Sequence, residues 1–136
     1  MKPKILFRAV RQDDIPWFAQ VTGYFPTSQF GGVVAHDETG TIMGMVGLDS
    51  WSPNGVQAHF AIPRPRCLIP LWDEVVNYLA KYDKAVILGV TPGDNERALR
   101  VTRRLGWKEL FRVKDGWSDG VDLVVSEFRI NGKIST

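Results

Sequence analysis

The sequence contains one cysteine, Cys67, and two histidines, His36 and His59. A lone cysteine excludes an internal disulfide and a thiolate-based structural zinc site, and it suits a reducing cytoplasm, the expected location. Two histidines without a His-x-x-x-His spacing give no basis for a zinc centre, and His36 beside Asp37 and Glu38 is not a ligand set. No metal site is therefore expected. Long apolar runs are missing too. Nothing approaches the roughly 18 residues of a membrane span, and the apolar stretch behind the basic start is too short for a secretion signal. Internal repeats, low-complexity tracts and Pro/Gly/Ser-rich linkers are absent. The net charge is only +2, which suits a small anionic ligand and gives little support to nucleic acid as the partner.

What the sequence does have is the make-up of one folded domain spanning 1–136. Its residues are 44% hydrophobic and 24% charged, enough to bury a core without staples and too apolar for disorder. Ile5 to Arg11 alternates as a strand. Asp13-Asp14-Ile15-Pro16 opens a helix whose apolar side is Trp17, Phe18 and Val21. A loop from Gly23 to Gly32 follows. Segments 32–36, 41–51 and 56–62 read as an antiparallel meander, with Ser52-Pro53-Asn54-Gly55 as its tight turn. Leu68 to Tyr82 carries a helical stripe, 85–90 is a short buried strand, and Asn95 to Leu105 is a second amphipathic helix closed by Gly106. Trp107 to Val113 and Val121 to Ile130 read as strands joined by a polar loop at 114–120.

The expected order is β-α-β-β-β-α-β-α-β-β. That is an α/β domain with a mixed, mostly antiparallel sheet of six to seven strands and helices on both faces. The strand–helix–strand step from 56 to 90 predicts one parallel pair.

This order, together with Asn95, Ala98, Gly106 and Trp107 in their register, resembles the GCN5-related N-acetyltransferase (GNAT) superfamily. The short length also looks like the reduced GNAT-like proteins of tailed phages and prophages. The resemblance implies an acetyl-CoA site where the fourth and fifth strands part. Phe60, Ala61 and Ile62 would pair with the pantetheine arm. The turn after them would hold the pyrophosphate at a helix N-terminus through Arg64, Arg66, Cys67, Leu68 and Ile69, and Asn95 would contact the pantetheine.

Two positions depart from the family's pattern. The usual turn is rich in glycine, whereas 63–70 has none and carries prolines at 63, 65 and 70. Proline removes amide donors, so Arg64 and Arg66 would have to compensate with charge, and the amides at 66–69 are expected to remain available. The family's acid, a tyrosine seven residues after the asparagine, is replaced by Thr102, which can meet a sulfur but is a weak acid.

His59 is the candidate base, since a group titrating near neutrality can take the proton of an amine; a structural histidine is the plainer alternative. Asn95 reads equally as a helix cap. Arg97, Arg100 and Arg104 share a helix face, by default solvated. Cys67, ahead of a helix and beside two arginines, is expected to have a lowered thiol pKa. Asp115, Asp119 and Asp122 could hold a cationic amine. The expected activity is transfer of an acetyl group from acetyl-CoA to a primary amine of a small molecule or protein, by a monomer or homodimer without membrane attachment. The alternatives are a catalytically decayed phage interaction protein and a phage protein modifying DNA bases.

Overall fold

The computed structural model describes residues 4–26, 30–82 and 84–130. In chain order its elements are β1 (Leu6–Ala9), α1 (Ile15–Thr22), β2 (Phe30–His36), β3 (Ile42–Ser50), β4 (Gly55–Ala61), α2 (Leu68–Ala80), β5 (Val86–Pro92), α3 (Glu96–Arg104), β6 (Lys108–Ser118) and β7 (Val121–Arg129), with single 3-10 turns before α1 and α2. All seven strands form one sheet in the order β1-β2-β3-β4-β5-β7-β6. Only β4 and β5 are parallel. The element order and the mixed sheet agree with the sequence pattern.

Alternation along the strands divides the core into two layers. On one face Val56, Ala58 and Ile87 meet the α2 stripe of Leu71, Trp72, Val75 and Leu79. On the other, Val34, Met45 and Ala61 close over Phe18 of α1. Burying such a side chain contributes roughly 1.5–3 kcal/mol, so each helix is fixed by its apolar stripe more than by its propensity. Arg8 anchors the start of α1 by a two-pronged bond to the buried Asp14, at 2.7 and 2.8 Å.

Two boundaries differ from the sequence reading. The expected polar loop at 114–120 is mostly strand, because β6 continues to Ser118 and turns only at 119–120. Asp115, at φ 54, takes up an irregularity between Val113 and Ser118, and its Oδ1 accepts from the Gly120 amide at 3.0 Å. The polar composition there reflects an edge strand exposed on both faces. In α3, where Ala98, Val101, Thr102 and Leu105 are expected to face inward, Leu99 is buried and Leu105 packs on the core, while Ala98, Val101 and Thr102 line a cleft. Part of the 23–32 loop, residues 27–29, lies outside the described residues.

One feature of the sheet makes room for chemistry. β4 and β5 pair only at Gly55–Val86, Val56–Ile87 and Gln57–Leu88. Beyond that, β4 stays with β3 as far as Ala61–Met45, while β5 follows β7 as far as Pro92–Leu123. The indole of Trp107 lies against β5 just past the last pair: a Cβ at Gly89 would stand 2.8 Å from its Cζ3. Glycine there is what lets the ring sit beside the parting strands, packed with Phe60, Trp72 and Phe128 at centroid distances of 5.3–6.2 Å.

Candidate active site

The parting of β4 and β5 opens a cleft of about 860 Å³ that passes through the sheet. On the α3 side its walls include Phe60, Ile62, Leu68, Asn95, Thr102 and Trp107. On the α1 side they include Val21, Thr22, Tyr24, Gln57, His59 and Trp117. Because β5 has turned away, the flank of β4 from 58 to 61 has no strand to pair with along the cleft.

His59 belongs to a built cluster. Its Nε2 lies 3.1 Å from Oδ2 of Asp49, a residue only 2% exposed. A carboxylate only accepts, so Nε2 carries the proton and Nδ1 is left as the basic nitrogen. The Tyr24 hydroxyl donates to the same Asp49 oxygen. The Tyr24 and His59 rings stack at 4.0 Å and 16°. Burial pushes the His59 pKa below its ordinary value, with Asp49 acting in the opposite direction. The imidazole is therefore neutral near pH 7 and able to accept a proton. Burial first, and then the bond to Asp49, push the Tyr24 phenol up to about 12, so it stays protonated.

The sheet register explains this cluster. Asp49 on β3 faces Gln57 on β4, so His59, two residues on, is its diagonal neighbour on the same face. Neither Asp49 nor Tyr24 was marked as functional by the sequence pattern. The signal was available: counting back from the 52–55 turn places Asp49 opposite Gln57.

The turn after β4 differs from what the sequence predicts. The Cys67 amide donates to the Arg64 carbonyl at 3.2 Å, and the Leu68 amide donates to the Pro65 carbonyl. Two of the four amides expected to be available are thus spent inside a 3-10 turn. The prolines set φ for such a turn, and no glycine opens it. Arg64 and Arg66 stand exposed on its outer surface, and Leu68 lines the cleft. Ile69 is exposed outside the lining. Cys67 is fully buried against β3, where a Cβ at Gly44 would lie 2.7 Å from its sulfur. Burial pushes the Cys67 thiol pKa up, against the expected lowering, because desolvation outweighs the nearby arginines.

The remaining candidates are placed as follows. Asn95 lines the cleft and also caps α3, its Oδ1 accepting from the Ala98 amide at 3.1 Å. Thr102 lines the cleft, but its hydroxyl donates to the Leu99 carbonyl at 3.0 Å, which further weakens it as an acid. Phe60, Ala61 and Ile62 all border the opening. Arg97 reaches it, whereas Arg100 and Arg104 are exposed elsewhere on α3. Among the described residues no group of His, Cys, Asp and Glu is arranged to hold a metal.

No family model matches the sequence, and no curated protein matches it either. Solved structures do. A point variant of the spermidine N-acetyltransferase of Vibrio cholerae superposes with a TM-score of 0.79 at 11% identity, covering 96% of this chain and 96% of that one. The ribosomal-protein-alanine N-acetyltransferase of Escherichia coli gives 0.77 at 12% identity, over 93% and 94%. A protein of Salmonella typhimurium described as a putative acetyltransferase, solved with its cofactor acetyl-CoA, gives 0.74 at 10% identity, over 98% and 98%. The chain has the GNAT fold. On that fold this chain carries a glycine-free turn ahead of α2 and a His–Asp–Tyr cluster on the α1 side of the parted strands.

Proposed function

We propose that the protein is an N-acetyltransferase that moves the acetyl group of acetyl-CoA to a primary amine by direct attack. The observation that carries this reading is the neutral, carboxylate-oriented His59 facing a cleft between parted β4 and β5. The residues present fit an elongated acyl thioester. The flank of β4 at Phe60, Ala61 and Ile62 offers main-chain groups to its amides, and Arg64 and Arg66 offer charge to its phosphates. Leu68 and Asn95 border the same path. When bound, the thioester supplies the electrophilic carbonyl.

An amine attacks only as the free base. His59 takes the proton at Nδ1, directly or through a water, while Asp49 holds the ring and favours the imidazolium as it forms. Tyr24 fixes Asp49 and the ring plane together. A thiolate leaves readily, so the weak acid at Thr102 suffices.

The test measures acetyl-CoA binding and CoA release in parallel. Bound acetyl-CoA raises the melting temperature as its concentration rises. His59→Ala keeps that binding and loses about a hundredfold in kcat. Absence of binding at millimolar acetyl-CoA overturns the reading. The spent amides at Cys67 and Leu68 favour one alternative, a GNAT-fold interaction module that has lost its cosubstrate; for it, no thermal shift is expected.

A further inference from the structure

The α1-side wall of the cleft has a chemical bias that bears on the acceptor. Among the described residues, no Asp, Glu or Lys lines the cleft, and Arg97 is the one charged side chain of fixed sign that does. Asp49 lies behind His59, buried and already accepting from Tyr24 and His59. Of the hairpin acids expected to be available to a cationic amine, Asp119 does not line the cleft, and Asp115 and Asp122 brace the turn. Asp115 Oδ1 accepts from the Gly120 amide at 3.0 Å, Asp122 Oδ1 accepts from the Asp115 amide at 3.2 Å, and neither borders the opening.

Beside the uncharged polar groups of Thr22, Gln57 and Tyr24, the wall presents exposed apolar surface. Trp117 is 52% exposed and Val21 47% exposed, and both line the cleft. One face of the Tyr24 ring is covered by His59, whereas Trp117 offers open aromatic surface to an incoming group. An ammonium entering here would lose water without gaining a carboxylate, and a polyamine would bring further charges to a wall that answers none of them. A neutral amine on an apolar body loses little water that matters and covers Trp117 and Val21.

We infer that the acceptor is an arylalkylamine or similar primary amine on a neutral apolar body, taken up as the free base, and not a polyamine. This rests on the acyltransferase reading above.

Phenethylamine and spermidine are compared as acceptors by CoA release at saturating acetyl-CoA, with acetyl-CoA affinity measured separately by calorimetry. The expected kcat/KM for phenethylamine exceeds that for spermidine by about tenfold or more. Trp117→Ala raises KM for phenethylamine about tenfold with a smaller change in kcat, and Trp117→Phe restores most of it. Val21→Glu, which adds the missing carboxylate at an exposed position, raises turnover of spermidine. If acetyl-CoA binds and spermidine is the better acceptor, or Trp117→Ala leaves KM unchanged, the inference is overturned and the acyltransferase reading stands. If acetyl-CoA does not bind, the acyltransferase reading fails and takes the inference with it.

Discussion

The two ends of the cleft are built on opposite plans. At the α1 end, Tyr24, Asp49 and His59 form a closed set in which each side chain fixes another and the carboxylate is buried. At the turn before α2, the Cys67 and Leu68 amides bond to the turn's own carbonyls, and the exposed arginine pair offers charge. One end is preorganised. The other depends on the charge of long, exposed side chains. Preorganised polar groups act on the rate of a reaction, whereas flexible charges act on affinity and its salt dependence. Substitutions at the two ends should therefore separate into effects on kcat and effects on binding.

The largest effect is expected at the preorganised end. Asp49→Asn keeps the volume and an oxygen that Tyr24 and His59 can share, but removes the negative charge that favours the imidazolium as it forms. It should lower kcat about a hundredfold while acetyl-CoA affinity, read by calorimetry, stays within about threefold. The pH profile sharpens this. Burial holds the folded His59 pKa below its ordinary value of 6.5. The neutral base form therefore predominates at pH 7, and kcat/KM should fall as pH drops through a value under 6.5. The same sign applies to stability: folding disfavours the imidazolium, so stability is lost as pH falls from 6.5 toward the folded value. Asp49→Asn removes the influence that raises this pKa, so the acid limb should move further down.

At the other end, the double variant Arg64→Ala/Arg66→Ala should weaken acetyl-CoA about tenfold, flatten its salt dependence and leave kcat nearly unchanged. A loss confined to kcat would reverse the assignment of the two ends. The smallest effect is expected at Thr102, whose hydroxyl is already committed to the Leu99 carbonyl. Thr102→Val should change kcat by less than about threefold.

The fold was legible because its signals are local and periodic. The 52–55 turn, the α2 stripe and the Asn95 cap each specify a conformation within a few residues, and each is found where the pattern puts it. The cluster around His59 was only half legible. His59 was visible as a polar residue on the inner run of β4, but Asp49 and Tyr24 reach it across the sheet and from the end of α1, and no local period reports that. The turn at 63–69 was misjudged for the converse reason. Counting prolines shows which donors are missing, but not that the amides of Cys67 and Leu68 would satisfy each turn's own carbonyls. Cys67 followed the same logic: two neighbouring arginines were visible, and the desolvating contact with Gly44 on β3 was not.

At the far margin of the sheet, β6, eleven residues long, is paired among the described residues only with β7. Such a margin invites any extended foreign peptide to zip onto it. Here the invitation is blunted by the two register breaks at Glu109/Phe111 and Val113/Ser118, which kink the rim, and by Lys108, Glu109, Arg112, Lys114 and Asp115, which crowd it with mixed charge. Replacing those charges with β-branched apolar residues would remove that protection and favour fibrous self-assembly.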